Sequence, residues 1–247
     1  MAYKTNLGGA AATFAGMMKD GFGIVTVMNA VICDALSVED YKSLTAYQIA
    51  NAPYFGTDGK LSTTEVVIDG TIKATPICRL DTLKIANVTQ EGPTKTISGG
   101  QYSNPLIKFG KSARLEMQDA LGNANAIEAL CGGIREWHTS IDDDNLVGLH
   151  FGEDFCGPKM IIGDTFFIDR KTGQQVKVKV VFYQFLPDSI FNLTQDAEGD
   201  ATVFDMNGDL LTTDILVART DAADKDVEGA THGVFYSIVD AAHKETA

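Results

Sequence analysis

The sequence predicts a mainly β protein, an antiparallel β-sandwich or barrel with a flanking α-helix and a long β-hairpin loop. From Glu65 onward, short runs of alternating apolar and polar residues follow one another and are separated by turn residues. Two such runs, Leu83–Thr89 and Leu106–Gln118, flank a long segment rich in Gly, Pro, Ser and Asn. Helical patterns are few and short. We therefore expect residues 61–247 to form one β-rich domain, and residues 1–60 to be an N-terminal segment of uncertain fold belonging to it.

The N-terminal segment contains one helix signal. The run Ser37-Val38-Glu39-Asp40 resembles a capping box, with a hydroxyl followed by an acid three residues later. A helix over 38–49 is predicted, ending before Pro53 because the residue before a proline disfavours helical geometry. The side chains expected to face inward are Tyr41, Leu44 and Ile49. The apolar, β-branched run 24–33 favours a strand, with a helix as the alternative.

Two hairpins are predicted from their turn residues. Asp69-Gly70 lies within the apolar run 65–74, and Asp-Gly is a strong signal for a tight β-turn. The runs 160–169 and 175–185 flank Lys171-Thr172-Gly173, and the second run alternates cleanly. We expect each pair of runs to form antiparallel strands.

The C-terminal half adds a helix and further strands. Asn125 to Glu128 indicates a helix start and Gly132-Gly133 its end. Asn207-Gly208 is predicted to be a type I′ turn between two strands. The strands expected here are Thr202–Met206, Thr213–Ala218 and Val234–Val239.

The net charge of −13 comes from the second half of the chain. Residues Met1 to Gly122 carry 11 acidic and 11 basic side chains, whereas Asn123 to Ala247 carry 22 acidic and 9 basic ones. Tight DNA binding requires Lys and Arg to neutralise phosphates, so the composition argues against it. An acidic surface would instead repel nucleic acid.

Length and cysteine content set further bounds. A chain of 247 residues buries about 70–75% of its unfolded surface, so it needs no metal or disulfide to fold. No apolar run is long enough to span a bilayer, and the N-terminus lacks the core of a signal peptide. The cysteines lack Cys-x-x-Cys spacing, so we expect buried or half-buried free thiols in a protein made in a reducing cytosol. These are Cys33, Cys78, Cys131 and Cys156.

Candidate chemistry is sparse. Cys131 with His138, or Cys156 with His150, would be needed for a cysteine hydrolase, but catalytic pairs are defined by spatial geometry and not by proximity in sequence. Acidic residues at 142–144 and in 221–228 lack the spacing of a calcium loop. The sequence therefore predicts no catalytic residue, no bound metal and no cofactor.

Other candidate binding features have simpler interpretations. Gly8-Gly9 and Gly99-Gly100 do not lie between a strand and a helix as a phosphate-binding loop requires, so they are interpreted as loop glycines. Stacking platforms for nucleic acid come with a basic groove, which the acidic half lacks. The aromatic residues of that half are therefore expected to be core or subunit contacts: Trp137, Phe182, Tyr183 and Phe185.

The segment Asp81–Leu121 is the strongest candidate for a functional surface. The loop from Glu91 to Pro105 is long, polar and nearly uncharged, and such loops are usually functional or disordered. Because regular strands flank it, we expect an ordered element that contacts another copy of the chain. The predicted interface residues are Glu91, Pro93, Thr94, Lys95, Gln101, Tyr102, Lys108, Lys111 and Arg114.

This segment resembles the major tail tube proteins of long-tailed bacteriophages. The resemblance rests on the run Glu91-Gly-Pro-Thr-Lys-Thr-Ile-Ser-Gly-Gly100, followed by Leu106-Ile-Lys-Phe-Gly-Lys111 and Leu115-Glu-Met-Gln-Asp-Ala-Leu121. A second similarity lies in Glu198-Gly-Asp-Ala-Thr-Val-Phe-Asp-Met206. The residues before position 60 resemble no family.

The resemblance implies a non-enzymatic virion protein, made in the host bacterial cytoplasm, that forms hexameric rings. The rings would stack into a tube, contact other tail proteins and conduct the genome during ejection. The long loop would reach a neighbouring ring or subunit. Alternatives are another β-rich virion protein, such as a capsid decoration or tail terminator subunit, and a cysteine hydrolase.

Overall fold

The computed structural model describes residues 13–20, 22–24, 27–80, 83–92, 94–96, 106–108, 110–119, 124–141, 145–153, 155–169, 173–188, 204–217, 219–220, 226–227 and 231–241. Within them the protein is mainly β, as predicted. The helices are α1 (Phe14–Asp20), α2 (Val38–Lys42), α3 (Ala46–Asn51) and α4 (Ala124–Cys131). The strands of the first half are β1 (Phe22–Ile24), β2 (Met28–Asp34), β3 (Val66–Asp69), β4 (Ile72–Ala74), β5 (Pro76–Leu80), β6 (Leu83–Glu91), β7 (Thr94–Thr96), β8 (Leu106–Lys108) and β9 (Ser112–Asp119). Those of the second half are β10 (Gly133–Trp137), β11 (Leu146–Phe151), β12 (Lys159–Asp169), β13 (Gln175–Pro187), β14 (Phe204–Leu210), β15 (Thr213–Leu216), β16 (Arg219–Thr220), β17 (Asp226–Val227), β18 (Thr231–Val234) and β19 (Tyr236–Asp240).

A nine-stranded antiparallel sheet organises the chain. Its strands follow the order β5-β2-β12-β13-β14-β9-β6, while β1 also pairs with β12 and β19 with β13. The remaining strands form two-stranded ribbons: β3–β4, β7–β8, β10–β11, β15–β18 and β16–β17. The sheet carries most of the core, and two of the ribbons add buried residues to it: Val66 of β3, Ala74 of β4 and Ile215 of β15.

The central strands are buried on both faces. Alternate residues such as Ile161 of β12 and Phe182 of β13 pack in one hydrophobic cluster with Leu130 of α4. Their neighbours Ile162 and Tyr183 pack in a second cluster, which contains the buried residues of α2 and α3. Successive strand residues point to opposite faces, so one sheet supports two cores.

The first cluster joins strands from distant parts of the sheet path. It includes Leu115 and Met117 of β9 together with Cys78 and Leu80 of β5. The sheet therefore bends round a shared interior, which places the β6–β9 end near the β5–β2 end. Its closure into a sandwich or barrel stays a prediction.

The predicted helix over 38–49 is wrong, because the structure has two helices there. Ser37 caps α2 as expected, its hydroxyl accepting from the Asp40 amide at 3.1 Å. Thr45 then caps α3 in a complete capping box with Gln48, whose side-chain oxygen accepts from the Thr45 amide at 2.9 Å. Thr45 and Gln48 thus form a second capping signal, at which a new helix begins after the first has ended. The predicted inward residues are all fully buried: Tyr41, Leu44 and Ile49.

Both predicted hairpins are confirmed. The strands β3 and β4 pair across Gly70, which has φ of 50°. The strands β12 and β13 pair antiparallel beyond Gly173, which has φ of 69°. The predicted helix before Gly132 is also confirmed as α4, and Gly132 adopts φ of 75°, the left-handed conformation of a helix C-terminal glycine.

The predicted turn at Asn207-Gly208 is wrong. Both residues lie inside β14, and Gly208 pairs with Pro187 on one side and Leu115 on the other. A Cβ atom on Gly208 would overlap the carbonyl oxygen of Leu186 and lie 2.8 Å from the Cα of Pro187. Gly208 therefore allows the backbones of β13 and β14 to approach closely, which is a common reason for a glycine within a strand.

Replacing Gly208 with alanine tests this packing. We expect G208A to lower the free energy of unfolding by about 2–4 kcal/mol, because backbone of β13 must move to admit the methyl group. The matched control is G110A, since nothing lies within 4 Å of the Cβ position at Gly110. Chemical denaturation of the two variants measures the difference. Equal stability of G208A and the parent protein would contradict the packing argument.

Candidate subunit interface

The strands β6 and β9 form the predicted antiparallel hairpin. Their pairing runs from Leu83 opposite Asp119 to Glu91 opposite Ser112. On its other side β9 pairs with β14, and β6 is the last strand of the sheet path. The hairpin thus forms one end of the large sheet.

The alternation predicted for β9 is confirmed from Ser112 onward. Ala113, Leu115 and Met117 are buried in the core, whereas Glu116 is exposed. The single long strand predicted over 106–118 is wrong, because β8 ends at Lys108 and β9 begins at Ser112. Residues 109–111 separate them, and the exposed, charged Lys111 stands where the alternation of Ala113, Leu115 and Met117 would require an apolar residue.

The excursion begins as a second ribbon. Thr94 pairs with Lys108, and Lys95 with Ile107, in the short antiparallel pair β7–β8. The structure thus brings three predicted interface residues onto one two-stranded element beyond the main hairpin. Glu91 and Lys111 are exposed beside its base. Three other predicted residues lie outside the described residues: Pro93, Gln101 and Tyr102.

Arg114 lies on β9 in ion pairs within its own chain. Its Nη2 atom contacts Asp188 Oδ2, and its Nη1 atom lies 3.2 Å from Asp209 Oδ1. Hydrogen bonding to Asp188 raises the pKa of the guanidinium group, which stays charged. Arg114 thus fastens the end of β13 to β9 and β14, and its role between subunits stays a prediction.

The strand β6 is an edge strand of the large sheet. No further strand pairs with it among the residues that the structure describes. Asn87, Thr89 and Gln90 are exposed on this nine-residue strand, while Val88 packs against the first hydrophobic cluster. A strand edge presents a row of backbone donors and acceptors to another chain. This edge can therefore accept an additional strand.

A second exposed surface was missed by sequence reasoning. Ile134 of β10 is 56% exposed, and Val147 and Phe151 of β11 are also exposed. The neighbouring Ile141 and Phe155 are 85% and 84% exposed. Ile134 pairs with His150 and Phe151 with Gly133, so Ile134 and Phe151 lie on opposite faces of the ribbon. Large exposed apolar side chains that occur together are typical of interaction surfaces. The alternation of residues 146–151 was the signal in the sequence.

The thiols are free, and buried or half-buried as predicted. Cys33 and Cys78 are buried, and Cys131 and Cys156 are half-buried. Burial raises the pKa of Cys131 to about 11, whereas a nucleophilic cysteine needs a lowered pKa. The Nε2 atom of His150, the histidine considered as a partner for Cys156, lies 2.7 Å from Glu136 Oε2. These environments do not favour a reactive thiolate at Cys131.

The other sequence candidates divide between core and undescribed residues. Phe182, Tyr183 and Phe185 are fully buried and belong to the core. The acidic run 142–144, and the glycines at 8–9 and 99–100, lie outside the described residues, as does most of the run 221–228. In the described part of the chain, no three metal-ligating side chains lie together.

No protein-family model and no curated protein matches this sequence. A membrane-spanning helix needs about 20 apolar residues, and no helix within the described ranges meets that requirement.

Thiol labelling tests the cysteine environments. With iodoacetamide at pH 7, we expect native Cys33, Cys78 and Cys131 to react more slowly than in the unfolded chain, because burial disfavours the thiolate. The rate at Cys131 should rise as pH increases toward its raised pKa of about 11. Mass spectrometry after digestion reports each site. Reaction of Cys131 at pH 7 faster than an unstructured cysteine would contradict this account and favour the hydrolase alternative.

Proposed function

We propose that this chain is a structural virion protein, the major tail tube subunit of a long-tailed bacteriophage. Copies would associate into hexameric rings that stack into a conduit for phage DNA. The proposal rests on the resemblance of the segment Asp81–Leu121 and on the geometry of the same segment. The observation that carries it is the outer edge of β6, which pairs with no other strand in the described part of the chain and leads to the β7–β8 ribbon.

A ring of identical copies would complete this edge. Long regular edge strands promote aggregation unless they are covered or paired. Pairing of β6 with a strand of the next copy satisfies its outer backbone groups, and a closed ring leaves no terminal edge. The β7–β8 ribbon follows the hairpin along the chain and would contact a neighbouring subunit or ring.

Exposed apolar side chains support assembly independently. The β10–β11 ribbon and its neighbours expose Ile134, Ile141, Val147, Phe151 and Phe155. In a lone chain these residues would remain in water, whereas a neighbouring copy would bury them. Burial of apolar surface stabilises association by about 25 cal/mol per Å² before the costs of ordering are subtracted.

The charge suits a conduit for DNA. The net charge of −13 repels a polyanion at distances within the screening length of about 8–10 Å. DNA would therefore pass without adhering to an acidic wall. The hairpin carries the basic residues Lys108, Lys111 and Arg114, and charge pairs within or between copies would neutralise them.

Charge reversal at the base of the ribbon tests the proposal. The wild-type chain is expected to form oligomers by size-exclusion chromatography and tubes by negative-stain electron microscopy. K111E should reduce tube formation at least about tenfold, because like charges across an interface suppress association. The control is K73E on the β3–β4 hairpin, where Lys73 is likewise exposed and pairs with Glu65 at 2.9 Å. K73E should assemble like the wild type.

A wild-type chain that stays monomeric at high concentration, without tubes, would overturn the proposal. Discrete rings that do not stack, or binding to capsids, would instead favour a tail terminator or a capsid decoration protein. Equal loss of assembly in K111E and K73E would show that net charge, and not this interface, controls association.

A further inference from the structure

A surface cavity of about 720 Å³ is lined by residues outside the β6–β9 hairpin. Its walls come from the loop 59–63, the strand β5, the start of α4 and the strand β10. This volume is within the range of about 300–1,000 Å³ typical of small-molecule sites. Leu61, Pro76 and Ile77 give it an apolar portion.

The cavity concentrates positive charge in an acidic protein. Lys60, Arg79 and Arg135 line it, and no carboxylate is among its described lining residues, although the chain carries a net charge of −13. Glu128 is not among the lining residues but forms an ion pair with Arg135, its Oε2 atom lying 2.6 Å from Arg135 Nε. A concave site lined by charges of one sign focuses the electrostatic field and attracts compact counter-ions.

Arg79 is held in place by a bulge in β2. Two residues of β2, Asn29 and Ala30, oppose the single residue Gly163 of β12. Asn29 adopts φ of 49°, and its Oδ1 atom accepts a hydrogen bond from Arg79 Nη2 at 2.9 Å. The Arg79 guanidinium also lies 5.1 Å from the ring centroid of Phe55. Bulges commonly re-aim a side chain beside a functional site.

Arg135 is held in the same manner. Its Nη1 atom donates to Asn125 Oδ1 at 2.6 Å, and its guanidinium lies 5.0 Å from the ring centroid of Trp137. Two arginines from different strands are thus each fixed by an asparagine oxygen and an aromatic ring, and both line one cavity. Such fixation reduces the side-chain entropy that would be lost on binding a ligand.

We propose that this cavity binds a compact oxyanion, a small molecule carrying phosphate or carboxylate groups. Guanidinium groups match the planar geometry of these groups and bind them with two hydrogen bonds. The apolar portion would contact the body of the ligand. A long polyanion such as DNA is disfavoured, because outside the cavity it would meet an acidic chain.

Calorimetric titration at constant ionic strength tests the proposal with two probes, pyrophosphate and citrate. We expect saturable binding of at least one probe, and the preferred probe identifies the group recognised. R79Q should weaken binding at least about tenfold, because it removes a charge-assisted hydrogen bond donor. N29G permits the same backbone conformation without the amide oxygen and should weaken binding less than R79Q does.

Two controls separate binding from folding and from general charge. K42Q removes an exposed positive charge on α2, where Lys42 pairs with Glu39 at 3.0 Å, and should bind like the wild type. R79K keeps the charge but loses the planar group, and should bind more weakly than the wild type. Circular dichroism confirms that each variant is folded. The absence of saturable binding of both probes, equal binding by R79Q, or stronger binding of a DNA duplex would overturn the proposal.

Discussion

The backbone hydrogen-bonding groups along the outer edge of β6 are the constraint on which this account depends. The sheet buries both faces of its central strands, so its stability comes from the middle, where α2, α3 and α4 cover it. In the part of the chain that the structure describes, the strands at the ends of the sheet path have a neighbouring strand on one side only. The hairpin of β6 and β9 contributes one face to the core, and no strand among the described residues pairs with the outer edge of β6. Completion by an identical chain would link the fold of the monomer directly to assembly.

Local signals in the sequence predicted turns and helix ends correctly where these depend only on residues adjacent in the chain. The hairpin at Asp69-Gly70 follows from the conformational freedom of glycine, and α4 ends at Gly132 for the same reason. The predictions that were wrong concerned residues whose conformation depends on the surrounding structure or on a competing local signal. Asn207-Gly208 has the composition of a turn, but Gly208 is needed where β13 approaches β14 closely. Thr45 divides the predicted helix because its capping box with Gln48 competes with continued helical bonding.

The candidate interface was partly predictable. Alternation identified the buried face of β9, and the composition of the loop identified an excursion between two strands. The break between β8 and β9, the ion pairs of Arg114 with Asp188 and Asp209, and the oxyanion cavity depend on residues distant in sequence. Arg79 and Arg135 are 56 positions apart in the chain, and only folding brings them to one cavity. The bulge at Asn29 that orients Arg79 has no signature in the sequence.

Hydrogen–deuterium exchange at the amides of β6 tests the central claim most directly. The exchange of residues 83–91 should be compared between dilute wild-type chain and the same chain concentrated until it assembles. We expect alternate amides of β6, those directed away from β9, to gain strong protection on assembly because a strand of another copy pairs with them. Unchanged exchange along β6 in assembled protein would contradict it.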